Sequence, residues 1–267
     1  MKNILVCIIL FLSAINVSAQ LSEITISYNY HHFNPTGREV CSRMVLLANR
    51  EQSKFFNTIN EKVDSMMSTT EGRMAYGQMI RAAMANNDVT NLPIKKESLY
   101  VLKNKTDSVT SVYDLIGAEF WTYEEPLLPQ EWELTDSTKR ILGYDCYKAE
   151  TTYRGRKWIA WFTPEIPMHD GPWKLCGLPG LILDAIDATG EYAFTADGIE
   201  LTPTKIRPIY GVSNYEKTER INYLRTMRAF YRNPVANLQA ATGSKADSMH
   251  ATEIELLHDF IETDYHE

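Results

Sequence analysis

Long apolar runs and an excess of basic residues are both lacking in this sequence of 267 residues. After residue 19, no stretch reaches the roughly 18 consecutive apolar residues that a membrane-spanning helix needs. We therefore predict that the mature chain has no transmembrane segment. The sequence has 27 basic and 34 acidic residues, a net charge of −7, so there is no electrostatic basis for binding nucleic acid.

Linear catalytic motifs are also absent. The sequence has no nucleophile elbow, no zinc-protease helix motif, no paired Cys-x-x-Cys ligands and no phosphate-binding loop. His31 and His32 are neighbours on a predicted strand, so their side chains point to opposite faces and cannot easily hold one ion. Asp184 and Asp187 would also lie on opposite faces of a regular strand. We predict no catalytic residue, no metal site and no cofactor, and we favour a protein that is not an enzyme.

The first 19 residues have the features of a secretory signal peptide. Lys2 and Asn3 precede an apolar run from Ile4 to Ile15, and small residues lie before Gln20. We therefore predict that residues 1–19 are removed on export.

Three cysteines remain after that segment, namely Cys41, Cys146 and Cys176. In an oxidising compartment two of them can pair and one is left over. We favour a Cys146–Cys176 disulfide, because both residues lie in the most strand-like region. Closing that loop would contribute about 3–4 kcal/mol if it is unstrained. The alternative is three buried free thiols.

Alternating apolar and polar residues predict a chain built mainly of β-strands. Ile24, Ile26, Tyr28 and Tyr30 alternate with polar residues in the first of them. Further strands are predicted at 40–48, 53–58, 99–103, 108–114, 119–123, 132–135, 141–153, 157–163, 181–186 and 192–195. Short connections imply antiparallel pairing. We predict a mainly β (α+β) fold, a curved antiparallel sheet or open half-barrel with a few peripheral helices; a two-sheet β-sandwich is the alternative.

A helical insert is predicted at about residues 60–87, where helix formers dominate and five methionines occur. Thioethers suit copper(I), but Met74, Met79 and Met84 are five residues apart, which rotates each by about 140° from the last on a helix. The methionines therefore do not form one chelating face. We interpret them as adaptable core packing.

A second helix is predicted to start at a capping box at Ser213 and to end before Pro234. One of its faces carries arginines, which we expect to be solvated or paired with acids. Residues 20–234 are predicted to form a single domain. Residues 235–267 form a polar, acidic C-terminal tail, in which Ile254, Leu257 and Ile261 indicate a possible last helix.

The segment Gly177-Leu178-Pro179-Gly180-Leu181-Ile182 resembles the signature of the GLPGLI family, exported proteins of Bacteroidetes of largely unknown function. The similarity extends upstream through residues 141–149, 153–156, 160–167 and 171–172. The resemblance implies export, a β-rich domain and, in some members, an association with TonB-dependent outer-membrane transporters. It supplies no catalytic residue.

The predicted functional site is an apolar surface around this stiff turn, where large aromatic side chains suit a protein partner or an apolar ligand. Its candidate residues are Trp161, Trp173, Gly177, Leu178, Pro179, Gly180 and Leu181. The alternative is that the turn only closes one end of the sheet. We predict a periplasmic, non-enzymatic binding or accessory protein that meets an outer-membrane or periplasmic partner. A hydrolase with a site assembled from distant residues and a metal-handling protein remain alternatives.

Overall fold

The computed structural model describes residues 21–90, 92–233, 237 and 253–266. The predicted signal peptide lies outside the described residues, as does most of the first half of the predicted tail. Within the described ranges, no helix is long and apolar enough to cross a membrane.

Twelve strands and three α-helices form the described part of the chain. The strands are β1 (Ile24–Phe33), β2 (Glu39–Ala48), β3 (Gln52–Phe56), β4 (Tyr100–Asn104), β5 (Val109–Ile116), β6 (Glu119–Pro126), β7 (Glu133–Ile141), β8 (Tyr144–Tyr153), β9 (Arg156–Thr163), β10 (Leu181–Asp187), β11 (Tyr192–Glu200) and β12 (Glu216–Lys217). The helices are α1 (Thr58–Met67), α2 (Thr70–Asn86) and α3 (Arg220–Arg232).

All the strands belong to one sheet, in the order β12-β6-β5-β4-β3-β2-β1-β11-β10-β9-β8-β7. Every pair is antiparallel except the short β12–β6 pair. The two end strands, β12 and β7, do not pair with each other, so the curved sheet stays open. The predicted mainly β, half-barrel fold is confirmed, and the strands that the structure describes form one sheet and not the two sheets of the alternative.

The main core lies on the concave face of this sheet. The alternation predicted for β1 is confirmed, since Ile24, Ile26, Tyr28 and Tyr30 are all buried there. The ring of Phe194 on β11 stacks on Tyr30 at 4.6 Å between centroids. A smaller cluster lies on the opposite face, formed by Val45, Leu47, Phe56, Tyr100 and Ile209.

Helices α1 and α2 occupy the methionine-rich segment, and they start at the side-chain caps Asn57 and Thr69. The expected burial of the methionines is wrong for α2. That helix buries only Ala83, whereas Met74 and Met84 are exposed, the latter by 76%. The reason is that α2 packs on α1 and makes little contact with the sheet.

Helix α3 begins at Arg220 and not at the capping box near Ser213. Before the helix starts, Glu216 and Lys217 pair with β6 as strand β12. This pairing holds the backbone extended at the residues where the first helical turn was predicted. The helix then packs against β5 and β6 through Tyr223 and Leu224, which are buried.

The last described stretch, residues 253–266, is called the C-terminal segment. It contains no helix, so the predicted last helix is wrong for these residues. Phe260, Glu262 and Tyr265 are each buried by at least 95%. The segment therefore completes the concave core, and it is not a tail that extends from a finished domain.

Candidate functional site

Residues 164–180, which join β9 to β10 and contain the Gly-Leu-Pro-Gly turn, form a crossing loop on the concave face. Trp173 in this loop packs on Tyr153 and Trp158, with ring centroids 5.8 and 5.7 Å apart. The loop also reaches the other half of the sheet, where Lys174 Nζ lies 3.0 Å from the hydroxyl oxygen of Tyr123 on β6. The crossing loop thus connects the two arms of the open sheet, a first arm from β12 to β2 and a second arm from β11 to β7, with β1 between them.

A buried ion pair fixes the start of this loop. Lys103 on β4 donates to Asp170 Oδ1 at 2.6 Å and to the carbonyl oxygens of Gly171 and Leu175. Lys105 Nζ lies 2.8 Å from the other carboxylate oxygen. Burial alone would raise the pKa of Asp170, but the charges of Lys103 and Lys105 outweigh it and lower the pKa to about 2.

The predicted apolar surface around the turn is not exposed. Trp173, Leu178 and Leu181 are each no more than 1% exposed and belong to the main core. Trp161 is half-buried and packs against the main core, with the Lys139 ammonium 4.4 Å from its ring centroid. Pro179 is exposed, but alone it provides no apolar surface. These residues therefore fit the alternative interpretation, in which the turn only closes one end of the sheet.

Both glycines of the turn are required because other parts of the chain pass very close to their Cα atoms. Gly177 has a φ of +93°, and a Cβ there would lie 2.7 Å from Pro129 Cβ. A Cβ on Gly180 would lie 2.1 Å from the carbonyl oxygen of Thr163. Neither position can accept a side chain without a backbone shift.

The structure differs from the predicted Cys146–Cys176 disulfide, because both residues are free thiols. The Cys146 thiol lies against the carbonyl oxygen of Tyr144, whereas Cys176 packs beside Leu128 and Gln130. Cys41 is also free, and it is exposed. The alternative of three buried thiols is therefore wrong for Cys41.

Six charged side chains meet where the crossing loop, β6 and the C-terminal segment come together, one of them Asp264, which lies 2.7 Å from Arg220. Lys174 lies 2.6 Å from Glu262 and 2.7 Å from Glu125. Arg220 of α3 reaches Glu262 at 2.7 Å, and Arg154 pairs with Glu125. Burial would raise the pKa of Glu262, but these cations lower it overall. The cluster fixes the C-terminal segment in place, and pairing of the α3 arginines with acids is confirmed at Arg220.

A cavity of about 360 Å³ opens between the concave face, α3 and the C-terminal segment. It is large enough for a small ligand. Its wall combines aromatic rings, hydroxyl groups and carboxylates. The residues that matter here are Tyr30, His32, Glu97, Asp114, Tyr192 and Tyr223.

Two of the carboxylates that line the cavity, Asp114 and Glu97, are held in place by protein donors. Asp114 accepts hydrogen bonds from Ser98 Oγ at 2.5 Å and from the Tyr223 hydroxyl at 2.6 Å. Burial raises the pKa of Asp114 above its ordinary value. Glu97 accepts from Ser42 Oγ at 3.1 Å and lies 3.2 Å from His32 Nε2. A carboxylate oxygen has more than one acceptor site, so both groups can also receive hydrogen bonds from a ligand.

Flat rings form the other part of the wall. His32 stacks between Tyr30 and Tyr192, with centroid distances of 4.6 and 5.8 Å. Rings supply apolar faces, and carboxylates supply acceptors, so the cavity suits a ligand that carries hydroxyl groups on an apolar ring. Sequence reasoning missed this site because its residues come from β1, β5, β11, α3 and the connection before β4. The one usable signal in the sequence was the spacing of Tyr30 and His32, which are two residues apart on β1 and therefore point to the same, concave face.

The geometry defines an open β half-barrel domain with a ligand-sized cavity on its concave face. The chain belongs to the family described as N-glycanase peptide, N-terminal domain, whose model matches residues 54–224. The match begins in β3 and ends in α3. It includes the crossing loop, Glu97 and Asp114, and it leaves out β1, β2 and the C-terminal segment.

The solved structures that are similar to this chain include the following three. Two are crystal structures of PNGF-II, in space groups C2 and P21, with 17% and 18% identity over 76% and 79% of this chain and TM-scores of 0.49 and 0.48. The third is a LolA superfamily protein from Nitrosomonas europaea, with 11% identity over 73% of this chain and 90% of that chain and a TM-score of 0.26. The chain spans about a third of the PNGF-II length, 32% and 34%. No curated protein sequence matches it significantly.

Proposed function

We propose that this protein is a non-enzymatic binding or accessory domain of a glycan-processing system, and that its concave cavity holds a carbohydrate. The observation that carries the proposal is the cavity wall, in which Glu97 and Asp114 lie beside the stacked rings of Tyr30, His32 and Tyr192. Sugar hydroxyls donate to carboxylates, and the apolar faces of sugar rings pack on aromatic rings. The chain's family is described as N-glycanase peptide, N-terminal domain, which supports a carbohydrate as the ligand.

We further propose that the protein is exported to the periplasm and works with an outer-membrane or periplasmic partner. The signal-like first 19 residues and the resemblance of Gly177–Ile182 to the GLPGLI signature support this location. The buried turn itself is not part of the proposed partner surface.

Calorimetric titration of the protein with oligosaccharides of the N-glycan core tests the proposed ligand. We expect saturable binding by the wild type and at least a tenfold loss of affinity in Glu97→Gln, which keeps the shape of the side chain but removes its charge. The matched control is Glu124→Gln on β6, which is exposed and paired with Lys217, and it should bind like the wild type. Absence of binding by the wild type, or equal binding by Glu97→Gln, would contradict the proposal.

The hydrolase alternative has one specific observation in its favour. Burial raises the pKa of Asp114, and the neighbouring charge of Glu97 raises it to a smaller extent. Two carboxyl groups with different pKa values can act as the acid and the base of a hydrolysis. Incubation with end-labelled glycans and mass spectrometry of the products separates the two functions. Unchanged glycans support binding alone, whereas cleavage that is lost in Asp114→Asn identifies an enzyme.

A further inference from the structure

Three metal-ligating side chains meet at one end of the β1–β2 hairpin. In the antiparallel register His31 lies directly opposite Cys41, and Glu39 lies opposite Phe33, two residues further along. Side chains two apart on a strand share a face, as do directly paired residues. The fold thus places His31, Glu39 and Cys41 on one face of the sheet.

The ligand atoms of these three residues are already close together. One nitrogen of His31, one carboxylate oxygen of Glu39 and the thiol sulfur of Cys41 all lie within 4.8 Å of one another. His31 Nε2 is 2.8 Å from Glu39 Oε1. In a tetrahedral site with bonds of about 2.0–2.3 Å, ligand atoms lie about 3.3–3.8 Å apart. Glu39 and Cys41 are exposed, so their side chains are free to rotate toward that geometry.

We propose that His31, Glu39 and Cys41 form a site for a divalent cation of the zinc class. An imidazole nitrogen, a carboxylate oxygen and a thiolate sulfur are the ligands zinc takes in proteins, and three of them leave the fourth position for water. The rings of His31 and Phe33 form a T-shaped pair with centroids 5.4 Å apart, which limits rotation of the imidazole. When the ion binds, the Cys41 thiol loses its proton to solvent, so affinity falls as the pH is lowered.

This site is separate from the carbohydrate cavity. Tyr30 and His32 point to the concave face, so His31, between them on the strand, points to the opposite face. The site also lies outside residues 54–224, the range matched by the family model. Failure of the proposed glycan binding would therefore leave this inference standing, and the reverse also holds.

Titration of the reduced protein with Co²⁺, a spectroscopic substitute for zinc, tests the site. We expect one equivalent to bind, with visible d–d bands of tetrahedral cobalt and a thiolate-to-cobalt charge-transfer band, and we expect Zn²⁺ to displace it. Cys41→Ser should abolish the charge-transfer band, and His31→Ala and Glu39→Gln should each weaken binding at least tenfold. Asn29→Ala is the matched control, because Asn29 is exposed and lies on the same face of β1.

Alkylation of Cys41 by iodoacetamide under native conditions gives a second measurement. Cys146 and Cys176 are buried, so the fast-reacting thiol is Cys41. Zn²⁺ should slow its alkylation in the wild type and in Asn29→Ala but not in His31→Ala. Absence of a cobalt spectrum in the wild type would overturn the proposal, and so would an unchanged affinity in both His31→Ala and Glu39→Gln, because the thiol would then bind alone.

Discussion

At the scale of single residues, Lys174 is predicted to stabilise the fold through buried ion pairs. Its ammonium is buried between Glu125 and Glu262, and it also contacts Tyr123. Lys174→Met leaves Glu125 and Glu262 paired only with Arg154 and Arg220. Because these two cations remain, we expect a loss of up to about 3–5 kcal/mol, which is the cost of removing one partner of a buried ion pair. Urea denaturation at neutral pH measures this loss of unfolding free energy.

The matched control for that variant is Lys217→Met. Lys217 also pairs with a glutamate, Glu124, at 2.7 Å, but its side chain is 69% exposed. Solvent screens such a pair, so the loss should stay below about 1 kcal/mol. Equal losses in the two variants would show that the buried cluster does not stabilise the fold.

Asp170 gives a prediction about pH. Lys103 and Lys105 hold its pKa at about 2 in the folded protein against an ordinary value of 3.8. The stabilisation, about 2 kcal/mol, is fully present above the ordinary value and is lost as the pH falls from about 4 to 2. Wild type and Asp170→Asn should thus differ most at neutral pH, and the difference should shrink across that window. We expect the exposed control Asp145→Asn to differ from wild type by less than about 1 kcal/mol throughout.

At the scale of elements, the crossing loop should tolerate change only where it is exposed. Leu178 is 1% exposed within the main core. Leu178→Asp places an unpaired carboxylate there and should cost at least about 4 kcal/mol or prevent folding. Pro179→Ala changes the adjacent exposed residue and should leave the melting temperature within a few degrees of wild type. Circular dichroism during heating compares them, and a stably folded Leu178→Asp would show that the turn is dispensable to the core.

The strands were the elements most accessible to sequence reasoning. Period-two alternation, as in Ile24–Tyr30, reports one buried face, and short turns between strands imply antiparallel neighbours. The start of α3 was misplaced because Glu216 and Lys217 pair with β6, a long-range contact that outweighs a local capping pattern. The helix predicted around Ile254 failed for a related reason, since Phe260 and Glu262 are fixed by tertiary contacts.

At the scale of the whole molecule, the candidate site could not be predicted from sequence. Glu97 and Asp114 are separated along the chain from Tyr192 and Tyr223. Only the folded, curved sheet brings the four residues together around one cavity. The proposed metal site depends on the exact register of His31 with Cys41. The Gly-Leu-Pro-Gly turn, which stands out in the sequence, is required for packing. Buried apolar residues and close backbone approach restrict the residues allowed at a position as strongly as a functional role does.

The two arms of the sheet should unfold together. β1 pairs with β2 on one side and with β11 on the other, as in the Thr25–Glu200 pair. Asp170 and Lys103 connect the crossing loop to the first arm. Neither arm can therefore keep its concave face buried alone. Trp121 lies on β6 of the first arm, whereas the other four tryptophans lie next to β7, on β9 or in the crossing loop, so fluorescence reports mainly on the second arm.

Fluorescence and far-ultraviolet circular dichroism should thus give the same urea midpoint, as a single cooperative transition requires. Asp170→Asn should lower both midpoints equally, because the ion pair it removes belongs to both arms. The exposed control Asp145→Asn should leave both unchanged within error. A fluorescence midpoint clearly below the dichroism midpoint would contradict this prediction, because the second arm would then unfold while the first stays folded. Refolding should be slow, since the β1–β11 pairing joins distant parts of the chain.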